Sequence, residues 1–125
     1  MASLLFVHND SDDRAMYAEY LRGEGFDVRE VSTTDDALPL TSEVDLVITG
    51  LMVSGTLDPL DFIRRTRSEQ SNIPIVVVTA SASPDSLAKA YDAGAQAVLV
   101  KPCLPDALLT EVKSIIDGDR FPTGS

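Results

Sequence analysis

The chain has almost no residues that could form disulfides, and it has no apolar run long enough to span a membrane. Its 125 residues include no tryptophan and one cysteine, Cys103, which cannot form an internal disulfide and which we expect to fill a small apolar space. The longest apolar runs, Leu46–Ile48 and Ile75–Val78, are far shorter than the roughly 20 residues that span a bilayer. No basic segment followed by a long apolar stretch opens the chain, so we predict no signal peptide and no membrane contact, and a cytoplasmic protein.

Basic residues are also scarce. Ten lysines and arginines stand against 20 acidic residues, which leaves a formal net charge of −10. This charge repels the phosphate backbone that dominates nucleic-acid affinity, so direct DNA or RNA binding is not expected. The one dense basic cluster is Arg64, Arg65 and Arg67, and a solvated outer helix face is its simpler interpretation.

The remaining composition is that of a globular domain with its own core. Hydrophobic residues make up 44% of the chain and charged residues 24%. The length corresponds to one domain, which we predict over residues 1–118. The polar residues 119–125 have little to bury and are expected to be disordered or to begin a linker.

Five short apolar runs alternate with helical stretches. Two of the runs are apolar on both faces, as expected of central strands covered by helices on both sides. This alternation predicts an α/β fold, a three-layer αβα sandwich around a five-stranded parallel sheet. The predicted strands are Leu4–Val7, Phe26–Val31, Leu46–Thr49, Ile75–Val78 and Ala97–Val100.

Oxygen-bearing side chains followed by proline mark two helix starts, because the oxygen can accept the free N–H groups of a first turn. These are Asp58-Pro59 and Ser83-Pro84, and the first helix is predicted to open at Asp10 or Ser11. The last helix is predicted over Pro105–Asp117. The second, over Thr34–Leu40, is expected to be irregular because it contains Pro39.

Functional loops of such sheets gather at the carboxyl ends of the strands. Here the loops contain His8, Gly50 and Thr79-Ala80, and the last strand leads from Ala93-Gly94-Ala95 to Lys101-Pro102. In this order and spacing the sequence resembles the receiver domain of two-component response regulators, a flavodoxin-like (βα)5 module, over about residues 3–116.

The resemblance implies a phosphorelay site. In this family a histidine kinase donates a phosphoryl group to an aspartate that ends the third strand, and an acidic pair after the first strand holds Mg²⁺. A hydroxyl and a lysine contact the phosphoryl oxygens, and an aromatic residue on the fifth strand reports the change. By this resemblance Thr79 matches the hydroxyl and Lys101 the lysine, and Pro102 matches a proline that usually follows in cis.

Four positions depart from the family pattern. The acceptor position is Gly50, the metal pair falls on His8 and Asn9, and the aromatic switch position is Val98. Moving the acceptor by one residue, to Thr49 or Leu51, supplies no carboxylate. The sequence therefore predicts an atypical receiver.

Three neighbouring side chains need an interpretation of their own. Asp10 is expected to cap the first helix rather than bind a metal, since one carboxylate holds Mg²⁺ poorly. His8 is expected to be structural, because the chain offers no second histidine for a metal site. Lys101 needs a partner if it is partly buried, and we expect Asp10 or a backbone carbonyl of the Gly50 loop to supply one.

These observations predict a non-enzymatic module without cofactor or metal that acts through protein–protein interaction, independently of phosphorylation. The resemblance places its interface on the fourth helix, fifth strand and fifth helix. The partner would be an effector domain, a kinase or a second copy, which leaves a homodimer open. Candidate contact residues are Asp85, Lys89, Asp92, Glu111 and Lys113.

Two other functions stay open. The domain could retain phosphoryl or metal binding through His8, Asp10 or a hydroxyl such as Ser54, Thr56 or Thr79, although a hydroxyl needs an activating base. It could also be a flavodoxin-like small-ligand binder. The acidic run after the first strand disfavours that function, because it would repel a phosphate where a cofactor loop should hold one.

Overall fold

The computed structural model describes residues 2–52, 55–70 and 72–118, so the predicted tail at 119–125 lies outside the described residues. Within them, strands and helices alternate along the chain. The strands are β1 (Ser3–Val7), β2 (Asp27–Val31), β3 (Leu46–Thr49), β4 (Ile75–Thr79) and β5 (Ala97–Val100). The α-helices are α1 (Ser11–Gly23), α2 (Thr34–Ala37), α3 (Pro59–Glu69), α4 (Pro84–Ala93) and α5 (Pro105–Lys113).

The five strands form one parallel sheet in the order β2-β1-β3-β4-β5. The two runs that are apolar on both faces, β3 and β4, lie inside the sheet, and every residue in them is buried. This arrangement confirms the predicted fold class. The order reverses between β1 and β3, and in such sheets this is where the carboxyl ends form a crevice.

Alternate residues of each strand point to opposite faces of the sheet, and each face has its own core. Leu4 and Phe6 of β1 pack with Leu108 of α5 on the face covered by α1 and α5. Leu5 of β1 packs with Phe62 on the other face, which α2, α3 and α4 cover. The predicted three layers are therefore present, and Cys103 packs half-buried against the first core.

The helix starts follow the predicted capping chemistry. The Asp10 carboxylate accepts N–H groups from Asp12 and Asp13 at 2.9 and 3.1 Å, so α1 begins at Ser11. Asp58 caps α3 by accepting the Leu60 N–H, and Ser83 caps α4 by accepting the Ser86 N–H. Capping by Asp10 is thus confirmed.

Two helices differ from regular geometry. The α2 helix has four residues and passes into a 3-10 helix at Leu38–Glu43, so the expected irregularity is confirmed. The α5 helix is regular only to Lys113, and the predicted continuation is a wider π-helical turn at Ser114–Gly118. Both irregular segments still pack against a core, with Leu38 and Leu40 on one face of the sheet and Ile115 and Ile116 on the other.

The basic cluster on α3 is less uniform than the sequence predicts. Arg64 and Arg65 are exposed and pair with acids of the same helix. Arg67 instead donates to the Ile73 and Gly94 carbonyl oxygens, both at 2.7 Å, and is half-buried. The prediction of a solvated face is therefore wrong for Arg67, whose long side chain reaches the carbonyl groups that precede β4 and β5.

Gly94 and Gly23 allow a matched test of this packing. Gly94 has a φ of 129°, and an added Cβ would lie 3.1 Å from the Arg67 Cβ, whereas an added Cβ on Gly23 meets no atom within 4 Å. We expect Gly94→Ala to lower the free energy of unfolding by roughly 1–3 kcal/mol. Gly23→Ala should leave it unchanged or raise it by about 0.5–1 kcal/mol. Urea denaturation of both variants measures this, and equal effects would contradict the packing argument.

Candidate functional site at the carboxyl edge of the sheet

Backbone hydrogen bonds position the candidate residues near one another, just beyond the carboxyl ends of the strands. The N–H of His8 donates to the Val31 carbonyl, that of Gly50 to the Val7 carbonyl, and that of Lys101 to the Thr79 carbonyl. Each bond extends the parallel pairing by one residue. His8, Gly50, Thr79 and Lys101 therefore line one small cavity of about 220 Å³, together with Asn9, Asp10 and Asp13.

Lys101 lies in this cavity with its side chain 22% exposed. Its Nζ atom is 2.9 Å from the Asp13 Oδ2 atom and 2.9 Å from the His8 Nε2 atom. The expected partners, Asp10 and a backbone carbonyl of the Gly50 loop, are therefore wrong. Asp10 is engaged in capping α1, whereas Asp13 lies in the first turn of that helix and reaches the end of β5.

His8 is held on several sides. Its Nδ1 atom accepts the Asp10 N–H at 3.1 Å, and its carbonyl accepts a bond from Arg14 at 2.6 Å. Its ring lies edge-on to Phe6, and 6% of the residue is exposed. Every contact of the ring is thus internal to the fold, in agreement with the structural interpretation of His8.

Two groups of the site have shifted pKa values. Burial lowers the pKa of His8, and the positive charge of Lys101 lowers it further, although Asp13 and Asp10 act in the opposite direction. The hydrogen bond from the Asp13 N–H is the main cause that lowers the pKa of Asp10. Near neutral pH the site therefore holds an uncharged imidazole and an ionised capping carboxylate.

The other candidate residues are placed as follows. Gly50 is buried, and the Thr79 hydroxyl accepts the Ser81 N–H at 3.1 Å. The Lys101-Pro102 peptide bond is cis, as the resemblance implied. Val98 lies on β5 outside the cavity and packs half-buried against the core on the α3 and α4 face.

These residues do not fit a magnesium ion. Mg²⁺ needs hard oxygen ligands, usually one or two carboxylates with water molecules. The positions after β1 offer the imidazole of His8 and the amide of Asn9, and Gly50 has no side chain. Asp10 is engaged with helix N–H groups and Asp13 with Lys101. In the described ranges, no group of three or more His, Cys, Asp or Glu side chains could hold a metal ion.

Sequence reasoning missed Asp13 and Arg14. Arg14 joins the His8 carbonyl to Glu30 of β2, with a distance of 3.3 Å between Nε and Oε1. The available signal was the spacing of Asp13, three residues after the cap, which places it in the first turn facing the strand ends. The partner of Lys101 could have been sought there.

The strand order of the sheet, the Thr79 hydroxyl and the Lys101-Pro102 cis bond agree with the receiver-domain pattern that the sequence resembles. The family model described as response regulator receiver domain matches residues 4–113. The chain therefore belongs to the response regulator receiver domain family.

Known relatives agree with this assignment. The chain is 32% identical over 113 residues to proteins named DNA-binding response regulator MtrA, from Mycolicibacterium paratuberculosis and Mycobacterium tuberculosis. The match covers 89% of this chain and 49% of those proteins, so the chain spans about half the length of these relatives.

Solved structures show the same fold. A CheY-like receiver domain protein from Methanospirillum hungatei gives a TM-score of 0.88 at 20% identity, covering 96% of this chain and 97% of that one. The Vibrio cholerae chemotaxis protein CheY4 gives 0.83 at 25% identity, covering 92% and 98%. In the part of the chain that is described, no helix has the length and apolar character needed to cross a bilayer.

The lowered pKa of His8 predicts how stability depends on pH. The unfolded chain takes up this proton near pH 6.5, but the folded chain does so only at lower pH. His8 should therefore stabilise the fold above about pH 6.5 and lose this contribution as the pH falls through its folded pKa. Urea denaturation from pH 7.5 to 5 measures the decline.

A His8→Gln variant is the control, because His8 is the only histidine of the chain. The decline in stability over this range should be smaller in the variant. Asp10, whose pKa is lowered from 3.8, loses its contribution only at lower pH. The same slope in both proteins, or a histidine Cε1–H NMR signal that titrates above pH 6.5, would contradict the prediction.

Proposed function

We propose that this receiver domain signals without aspartyl phosphorylation and acts as a protein-interaction module rather than an enzyme. The observation that carries the proposal is Gly50 at the end of β3. Its buried backbone lines the cavity, and it has no side chain to accept a phosphoryl group. Its neighbours Thr49 and Leu51 carry no carboxylate either.

The charges around Gly50 support the same conclusion. Phosphoryl transfer requires cations that spread over the oxygens where negative charge accumulates. Lys101 is already paired with Asp13, and the donor set does not fit Mg²⁺. An incoming phosphoryl group would have to displace an internal carboxylate from the lysine.

The hydroxyls are weak alternatives as acceptors. Thr56 is the best placed, since its Oγ1 donates to the Asp35 Oδ1 atom at 2.6 Å. The hydrogen bonds from Thr56 lower the pKa of Asp35, however, and a carboxylate with a lowered pKa is a poorer general base. Ser54 lies outside the described residues. These contacts favour a structural interpretation of Thr56.

The interaction surface in this proposal consists of α4, β5 and α5. Four of its five candidate charged residues are exposed, and Glu111 is half-buried. Lys89 pairs with Asp85 at 3.1 Å. The Lys113 Nζ atom lies 3.9 Å from the Oε1 atom of Glu24, the residue that follows α1. Exposed pairs of this kind contribute little to stability, so the charges can exchange partners at low cost. Tyr91, also on α4, is 50% exposed to solvent.

The partner in this proposal is another protein, namely an effector domain, a kinase or a second copy of the chain. The MtrA relatives are named DNA-binding response regulators, and this chain matches about half of their length. A DNA-bound effector joined to such a receiver would explain how an acidic domain serves a DNA-binding protein. The receiver itself would not touch the nucleic acid, because its net charge is −10.

Incubation with acetyl phosphate and Mg²⁺ tests the proposal. Because no acceptor carboxylate lies at residue 50, we expect intact mass spectrometry to find no phosphoryl adduct on the wild-type chain. An adduct on the wild type, assigned by peptide mapping, would contradict the proposal. It would also identify the residue that serves as acceptor.

A variant that restores the family pattern provides the positive control. His8→Asp, Asn9→Asp and Gly50→Asp together supply two metal ligands and an acceptor. We expect this triple variant, once circular dichroism shows that it is folded, to gain a base-labile adduct. The wild-type result stands even if the variant does not fold, since the two measurements are separate.

Self-association tests the interaction surface for the case in which the partner is a second copy. We expect Tyr91→Ser to weaken dimerisation several-fold in sedimentation velocity, because a half-exposed tyrosine on α4 would be covered in the dimer. Tyr20→Ser on α1 is the matched control, with 37% exposure, and should have no effect. A monomer at all concentrations, or equal effects of the two variants, would exclude this dimer.

A further inference from the structure

We infer that a second, larger cleft beside the carboxyl-edge cavity binds a small apolar molecule carrying an anionic group. The cleft has a volume of about 490 Å³ and lies between Leu51 and Met52 after β3, the start of α3, the residues that follow β4, and α4. Pockets for small organic ligands typically measure about 300–1,000 Å³. This inference goes beyond the proposed function and does not depend on it.

The lining of the cleft is mainly apolar. Leu51, Met52, Pro59, Leu60 and Ala80 contribute to it. Met52 is 79% exposed, which is unusual for a side chain of this type. A ligand that covered Met52 and the adjoining leucines would remove apolar surface from water, and this gain would supply most of the binding free energy.

The polar residues of the cleft favour a ligand whose anionic, hydrogen-bond-accepting group lies beside α4. Ser86 Oγ lies 3.1 Å from Ser81 Oγ and 3.0 Å from Ser83 Oγ, so two hydrogen bonds join three hydroxyl groups and one of their protons remains to be donated. Lys89 lies one turn further along the helix, and both side chains of its ion pair with Asp85 are exposed to solvent. A carboxylate or sulfonate near these two residues would meet a hydroxyl donor and an ammonium group.

Asp58, the acidic residue on the opposite rim of the cleft, serves as a helix cap. The Asp58 Oδ2 atom accepts the Leu60 N–H and so caps α3, which satisfies part of its charge. The negative charge of the whole chain still opposes an anion. The ligand therefore needs a substantial apolar body, and a small inorganic anion such as phosphate should not bind.

The position of the cleft would give a ligand influence over the rest of the domain. Leu51, Met52, Thr79 and Ala80 line both this cleft and the cavity that contains Lys101. An occupant would contact both loops at the sheet edge and the first half of α4. It could thus shift the population of loop conformations without any phosphoryl group.

Titration with 8-anilinonaphthalene-1-sulfonate, an apolar anion, tests the inference on the full chain. We expect saturable fluorescence with one site, and backbone amide NMR shifts centred on Leu51, Met52 and Leu60 and on residues 80–89. Shifts centred instead on the exposed Met16 and Tyr20 of α1 would overturn it. So would the absence of saturable binding up to roughly 1 mM probe.

Three variants separate the apolar and ionic contributions. Met52→Ser, at an exposed position, should weaken binding by about tenfold, which corresponds to losing one well-covered apolar contact. Lys89→Gln should weaken it about two- to fivefold, the strength of a surface ion pair. Lys113→Gln on α5, where the lysine is half exposed, is the matched control and should change nothing.

A neutral probe, N-phenyl-1-naphthylamine, tests the anionic part alone. It should bind more weakly than the sulfonate, and Lys89→Gln should not affect it. Equal affinity of the two probes would overturn the requirement for an anion. An unchanged sulfonate affinity in Met52→Ser would overturn the site itself.

Discussion

A lysine ammonium group held at the edge of a parallel sheet organises this site. Lys101 is mostly shielded from water, and a shielded cation costs free energy unless polar or charged groups surround it. Asp13 supplies the opposite charge from α1, and the His8 Nε2 atom at the end of β1 lies 2.9 Å from the ammonium group. A single side chain thus connects β5 with β1 and with the first turn of a helix.

The ion pair between Lys101 and Asp13 also bears on the function that we propose. In a receiver that accepts phosphate, a cation and a metal ion must meet the charge that arrives with the phosphoryl group. Here the cation already has an internal carboxylate as partner, and Gly50 offers nothing to modify. In the function that we propose, a partner or ligand that prefers one loop conformation shifts the population toward it. The proposed binding places are the neighbouring cleft and the surface of α4, β5 and α5.

Much of the fold could be predicted because its causes are local in sequence. The pairs Asp58-Pro59 and Ser83-Pro84 mark helix starts through atoms within a few residues of each other. The apolar run of β3 predicts a strand covered on both faces, and it is buried throughout. The candidate site was predictable as a place, since parallel strands must end at a common edge. That residue 50 carries no carboxylate also follows from the sequence alone.

The partners within the site were not predictable in the same way. Asp10 is closer in sequence to the end of β1, yet Asp13 reaches Lys101 because the helical turn directs it across the edge and capping occupies Asp10. Arg67 was expected in solvent, but its length lets it reach carbonyl groups before two strands. The sequence by itself determined the elements, their order and the absence of a carboxylate at residue 50. Only the tertiary structure decided which charges meet, because a contact between residues 13 and 101 depends on how separate elements pack rather than on any local pattern.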